Sequence, residues 1–179
     1  MGTNFNYLKK GDRCSNLVNS VTYTKNNICE DVIKYVYDQK GNITNILKNG
    51  KETVRYTYDD LSRLIREDNK DLEKTYLFFY DQGGNILRKE EYNYSTKPAE
   101  FLENAIDEKV YNYASTGWKD KLMAYNGLEF KYDSLGNPEE YMGNTLKWNY
   151  LRQLEKYNNK IFIEKSQQLK LLAFSISQS

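Results

Sequence analysis

The stretch YVYDQKGNI, Tyr35 to Ile43, is spelled again with small changes as YTYDDLSRL from Tyr56, FFYDQGGNI from Phe78 and FKYDSLGNP from Phe130. A catalytic site is normally built once, whereas a unit that stacks on copies of itself is built repeatedly. Within the phrase, Tyr35 and Tyr37 fall on one face of a strand, because side chains alternate with period two. Asp38 suits the first position of a type I turn, where its carboxylate accepts backbone N–H groups. Gly41 supplies a left-handed exit, Asn42 tolerates the same region, and Ile43 resumes the strand. The same reading places Tyr56, Tyr58 and Asp59 in the second copy, and Tyr80, Asp81, Gly84 and Asn85 in the third. Tyr132, Asp133, Gly136 and Asn137 form the fourth. In the second copy Ser62 and Arg63 stand for Gly and Asn, which predicts a turn with a weaker left-handed requirement.

A second kind of turn separates the phrases. Asn49-Gly50 and Asn126-Gly127 lie between alternating runs, the strongest short-range hairpin signal, and a polar cluster around Asn69 and Lys70 serves the same purpose. Each period of about 20 residues therefore holds two strands and two turns. The expected fold is all-β: a meander of antiparallel hairpins forming a curved or coiled sheet. One segment breaks the rhythm. Pro98, with Phe101, Leu102 and Ile106 at helix-like spacing, predicts an irregular insertion near residues 95–107 with about one helical turn. After Tyr157 the pattern fades. The expected organisation is a repeat region over 1–157 and an atypical tail over 158–179, whose Leu169, Leu171, Leu172 and Phe174 require a partner to cover them.

Composition narrows the chemistry. There is no histidine among the 179 residues, so Ser-His-Asp triads, Cys-His pairs and HExxH zinc sites are excluded. Cys14 and Cys29 cannot supply a four-ligand zinc site; a disulfide between them and two unrelated thiols are both open readings. The 26 basic and 25 acidic residues leave no electrostatic footprint for nucleic acid. No signal-peptide pattern opens the chain, and no apolar run reaches the length of a membrane span. An export signal, if there is one, is expected elsewhere on a longer parent chain. The aspartates match no EF-hand or glycine-rich calcium repeat and read as turn formers; no metal or cofactor is expected. With 17 Tyr, 7 Phe and 2 Trp, the chain has the aromatic content of a half-buried sheet. The recurring tyrosines and Trp148 could stack on sugars, but a cross-strand aromatic ladder joining neighbouring repeats is the better reading. Trp118 and Trp148 are expected to be buried rings.

These phrases resemble the YD repeats of Rhs proteins, bacterial wall-associated and toxin-delivering polypeptides. The likeness covers roughly residues 20 to 157, and Asn112 to Tyr157 is similar to the segment before the core-terminal region of wall-associated members. The resemblance implies repeats coiled into a hollow shell around a C-terminal toxic polypeptide. It also implies a place outside the cell or at the cell wall, as part of a parent chain. The family's DPxG-like autoproteolytic motif is absent, so no catalytic residue carries over. The expected function is thus a non-enzymatic segment of shell wall, with the remainder of the shell and its toxin cargo as partners. A stand-alone module for glycans or cell surfaces, and a decayed gene fragment without independent function, are the alternatives.

Overall fold

The computed structural model describes residues 2–10, 13–26, 28–158 and 160–161. The apolar tail with Leu169 to Phe174 lies outside the described residues. The chain divides at Lys109/Val110 into two units within the region read as one run of repeats.

The first unit is a meander of eight strands: β1 (Gly2–Lys10), β2 (Arg13–Lys25), β3 (Ile28–Tyr37), β4 (Ile43–Lys48), β5 (Lys51–Tyr58), β6 (Leu64–Asn69), β7 (Lys74–Tyr80) and β8 (Ile86–Asn93). Each pairs antiparallel with the next. Strands therefore extend well to the N-terminal side of the stretch that carries the repeat likeness. The repeat shows in the register: Tyr37 opposes Ile43, Tyr58 opposes Leu64 and Tyr80 opposes Ile86, each just after an irregularity in the ladder. Irregularities of this kind bend and twist a strand where it enters a turn.

Alternation sorts the side chains into two faces. Val21, Ile33, Tyr35, Ile46, Val54 and Tyr56 share one, in cross-strand register. Lys34, Asn45, Arg55, Asp68, Thr75 and Tyr92 lie on the other. Val21, Val54, Leu77 and Tyr92 are the buried hydrophobic residues among those described in this unit, and the wholly buried Thr75 shares its face with Leu77 and Tyr92. A single sheet covers its side chains only with their neighbours, which is why most strand residues are half-buried. Residues 94–106 interrupt the meander with a 3-10 turn at Ala99–Phe101, the one helical turn expected from the sequence. Asn26 and Glu73 take positive φ in the hairpin turns 2–3 and 6–7. Cys29 is exposed and makes no disulfide.

β9 (Asp107–Tyr113) spans the division. In the second unit it pairs with β10 (Leu122–Tyr125), which pairs with β11 (Leu128–Glu129). A second run joins β12 (Lys131–Tyr132), β13 (Pro138–Tyr141), β14 (Asn144–Trp148), β15 (Leu154–Tyr157) and β16 (Lys160–Ile161). Phe130, between β11 and β12, is 3% exposed and stacks on Tyr141 with ring centroids 4.8 Å apart. Asn49-Gly50 and Asn126-Gly127 have φ of 51° and 80°, and 47° and 77°, and Met142-Gly143 repeats the pattern at 48° and 75°. Consecutive positive φ marks the type I′ turn, whose twist matches that of the flanking strands.

Candidate functional site

What recurs in this molecule is a turn and a clasp. In the first turn Asp38 Oδ1 accepts the backbone N–H groups of Lys40 and Asn42, both at 2.8 Å, and Oδ2 accepts the Asn42 side-chain amide at 2.8 Å. Asp133 does the same with Leu135 and Asn137, and Asp81 accepts from the backbone and side chain of Asn85. These donors stabilise the charged form, so the side-chain amides of Asn42, Asn85 and Asn137 above all hold the carboxyls of Asp38, Asp81 and Asp133 below the usual range. The carboxylates face their own turns. Among the described residues no group of three His, Cys, Asp or Glu could hold a metal.

The second turn departs from expectation. Ser62 has φ of 62°, so the left-handed position is kept although glycine is not. Its hydrogen bond to the Asp59 carbonyl, 3.0 Å, closes the same turn that Gly41 closes on Asp38 at 3.2 Å. Arg63 replaces the amide: its Nε donates to Asp59 Oδ2 at 2.6 Å, and its backbone N–H to Oδ1 at 2.9 Å. That backbone bond is the first cause of the lowered Asp59 pKa. Arg63 also reaches the next turn, donating to the Asp81 carbonyl at 2.9 Å with its guanidinium 4.9 Å from the Tyr80 ring centre. Turn-to-turn links run in the same sense from the first turn to the second, from Lys40 Nζ to the Asp60 carbonyl at 2.6 Å and from the Asn42 amide to Ser62 Oγ at 3.2 Å.

The clasp belongs to the tyrosine just before each Asp. Tyr58 donates its hydroxyl to the Ile43 carbonyl at 2.8 Å, and Tyr80 to the Leu64 carbonyl at 2.7 Å. Ile43 and Leu64 each stand at the same place, directly after the preceding turn. Tyr37 reaches the Val18 carbonyl at 2.7 Å and Tyr132 the Leu122 carbonyl at 2.5 Å. Burial raises the pKa of all four phenols. Neighbouring repeats are thus joined by hydroxyl-to-carbonyl bonds. Among the described residues rings do pair, Tyr111 with Tyr125 at 5.0 Å and Phe130 with Tyr141 at 4.8 Å, but neither pair includes a clasp tyrosine. The first tyrosine of each pair, Tyr35 or Tyr56, contributes to the apolar face.

A fifth copy was hidden from the letter pattern. Asn149 Oδ1 accepts from Leu151 at 2.9 Å and Gln153 at 3.0 Å, its amide donates to Gln153 Oε1 at 2.9 Å, and Arg152 takes φ of 60°. Trp148 fills the tyrosine place, donating Nε1–H to the Pro138 carbonyl at 2.6 Å. Asn, Arg, Gln and Trp perform the work of Asp, Gly, Asn and Tyr. The signal was the spacing, an aromatic donor followed directly by a short carbonyl-bearing side chain. Trp148 is half-buried and serves the clasp. Trp118 corrects the expectation outright: it is 66% exposed, on the long turn Ala114–Lys121 that stands in place of an Asp turn. Trp118 lines a cleft of about 550 Å³ with Thr116, Met123, Ser134 and Leu135.

Away from the turns, the structure singles out two carboxylates that the sequence did not, Asp68 and Glu90. Both are committed. Asp68 accepts from Arg66 Nε at 2.9 Å and Thr75 Oγ1 at 2.9 Å. Glu90 accepts the Tyr92 hydroxyl at 2.6 Å, and burial together with that bond pushes the phenol up to about 12. Neither presents a free oxygen to a cleft in the manner of a general acid or base.

No family model and no curated protein matches the chain. Solved structures do. TcdB2-TccC3-Cdc42 aligns with a TM-score of 0.65 at 17% identity, over 92% of this chain and 9% of that one. TcdB2-TccC3 aligns at 0.64 and 16%, and the Photorhabdus luminescens Tc holotoxin pore with a mutated TccC3 at 0.64 and 15%; each covers 91% of this chain and 9% of the other. The likeness is one of fold. This chain spans under a tenth of those chains.

Proposed function

We propose that this chain is a non-enzymatic stretch of wall from an Rhs-repeat shell, which encloses a toxic polypeptide and helps deliver it at the bacterial surface. One observation carries the reading. Each Asp turn is locked from within, and the aromatic donor beside it bonds the hairpin before it, so the repeats of Asp38, Asp59 and Asp133 are both clasp and receptor. Stability in such an array comes from the interface between neighbours, as a continuous wall requires. The fold shared with a short stretch of TcdB2-TccC3 chains supports the same reading. The remainder of the shell and its cargo are the partners.

The test uses the natural polypeptide that carries these residues, purified whole. Its C-terminal segment should resist protease while the wall is intact, and Tyr58→Phe with Tyr80→Phe should speed its digestion. Digestion at the rate of the free segment in the unmodified protein would overturn the proposal. The exposed Trp118 favours a second reading, a surface-binding module. Glycan-array binding by the isolated chain, lost in Trp118→Ala, would establish that instead.

A further inference from the structure

Residues 94–106 are fixed at both ends and latched beside the first, at Ser95 and Lys97. Tyr94 N–H donates to the Glu73 carbonyl at 2.9 Å, and Ile106 N–H to the Glu91 carbonyl at 2.7 Å. Between these anchors the segment crosses the face that carries Arg66, Asp68 and Thr75. Arg66 Nη2 donates to the Ser95 carbonyl and Nη1 to the Lys97 carbonyl, both at 2.7 Å. The Thr75 hydroxyl accepts the Ser95 N–H at 3.0 Å. Asp68 holds the guanidinium in place through Nε, with Nη2 2.9 Å from its carboxylate.

The crossing segment contributes almost no apolar burial. Its 3-10 turn has no buried residue, Phe101 is 62% exposed and Ile106 49%. Its hold on the sheet is polar and converges on one arginine and one threonine. Beside it lies a groove of about 480 Å³ bordered by Thr57, Leu77, Phe79, Arg66 and Ala99. Ala99 belongs to the segment itself, so moving the segment remakes that border.

We propose that residues 95–105 form a strap with two states, closed by Arg66 across the β6–β7 face and opening about the Tyr94 and Ile106 anchors while the sheet stays folded. The charged donors of Arg66 and the Thr75 hydroxyl hold the closed state, and opening hands both strap carbonyls to water. Contacts with few buried apolar atoms and a small number of hydrogen bonds mark segments that open well below the global unfolding free energy.

Hydrogen exchange on the whole chain tests this. In the unmodified protein the Ser95, Phe101 and Leu102 amides should exchange more slowly than an unstructured chain, yet faster than those of β6 and β7. Arg66→Lys keeps a cation beside Asp68 but cannot serve two carbonyls with a planar fork. It should speed exchange in the strap by about 10- to 100-fold, the loss of hydrogen bonds from a charged donor, with β5–β8 unchanged. Thr75→Val should act in the same direction at Ser95. Three results would each overturn the proposal: strap amides already unprotected in the unmodified protein, strap amides still protected in both variants, or strap and strands accelerating together.

Discussion

Tyr58 shows how much of this structure rests on single polar atoms. Its ring is half-buried and its hydroxyl is the only link that side chain makes to the Ile43 carbonyl, at 2.8 Å. Tyr58→Phe keeps the ring and removes the bond, so a loss of about 1 kcal/mol in urea unfolding is expected. The charge states of the turns set the pH range. Asp38, Asp59, Asp81 and Asp133 all have folded pKa values below the ordinary one. Their contribution is therefore present above the unfolded carboxyl value of about 3.9 and is lost as pH falls through the folded values. The clasp tyrosines are shifted upward, so theirs is full below about pH 10 and lost as pH rises through the folded phenol values. A melting temperature that is flat between these limits and falls on both sides is expected. A fall centred near neutrality would contradict the assignment. Glycine has one requirement here. A Cβ at Gly84 meets nothing within 4 Å, so its φ of 95° is the sole obstacle to substitution. Gly84→Val should cost more than about 1 kcal/mol from backbone strain alone, and Ser62→Gly, at φ 62°, should gain slightly.

The unit of construction is the hairpin with its turn, and it tolerates changes of residue that preserve donors and acceptors. Arg152, at φ 60° in the fifth turn, is the costly residue of that copy. Arg152→Gly is expected to stabilise by about 0.5–1 kcal/mol in thermal or chemical unfolding, and a loss would mean that the arginine side chain holds something else. Much at this scale was legible in the sequence. YxYD phrases, Asn-Gly pairs and the break at Pro98 mark turns because they need particular φ values or local acceptors, and those needs are printed in the residue types. Other features were not legible, for physical reasons. Asn149 and Trp148 escaped because hydrogen-bonding capacity, not identity, defines the repeat. Ser62 keeps its left-handed φ because the Asp59 bonds close the turn around it. Asp68 and Thr75 became a buried pair only through the register of β6 with β7 and the strap above them, which no local pattern encodes. Trp118 is exposed on a long turn, and composition cannot show that.

At the scale of the whole molecule, the sheet of the first unit has no second layer on either face among its described residues, beyond the strap. Domains ordinarily bury a sheet face against another element, and here Phe5, Tyr7, Val36 and Leu87 stay largely exposed. β1 pairs only with β2 along its length, leaving one row of backbone donors and acceptors open among the described residues. Phe5 at 56% and Tyr7 at 48% exposure add apolar surface to that edge. Open edges with exposed apolar side chains template pairing with other chains, and natural sheets usually blunt them with charge. The isolated chain is therefore expected to self-associate at micromolar concentration, as sedimentation or light scattering would show. Phe5→Lys with Tyr7→Lys should reduce association without loss of the sheet's circular dichroism. Truncation after Lys165, which removes the apolar LKLLAFSIS run, should reduce it further. A monomer that unfolds in one cooperative step, indifferent to all these changes, would mean that the edge is covered and that the chain is a finished module rather than a stretch of wall.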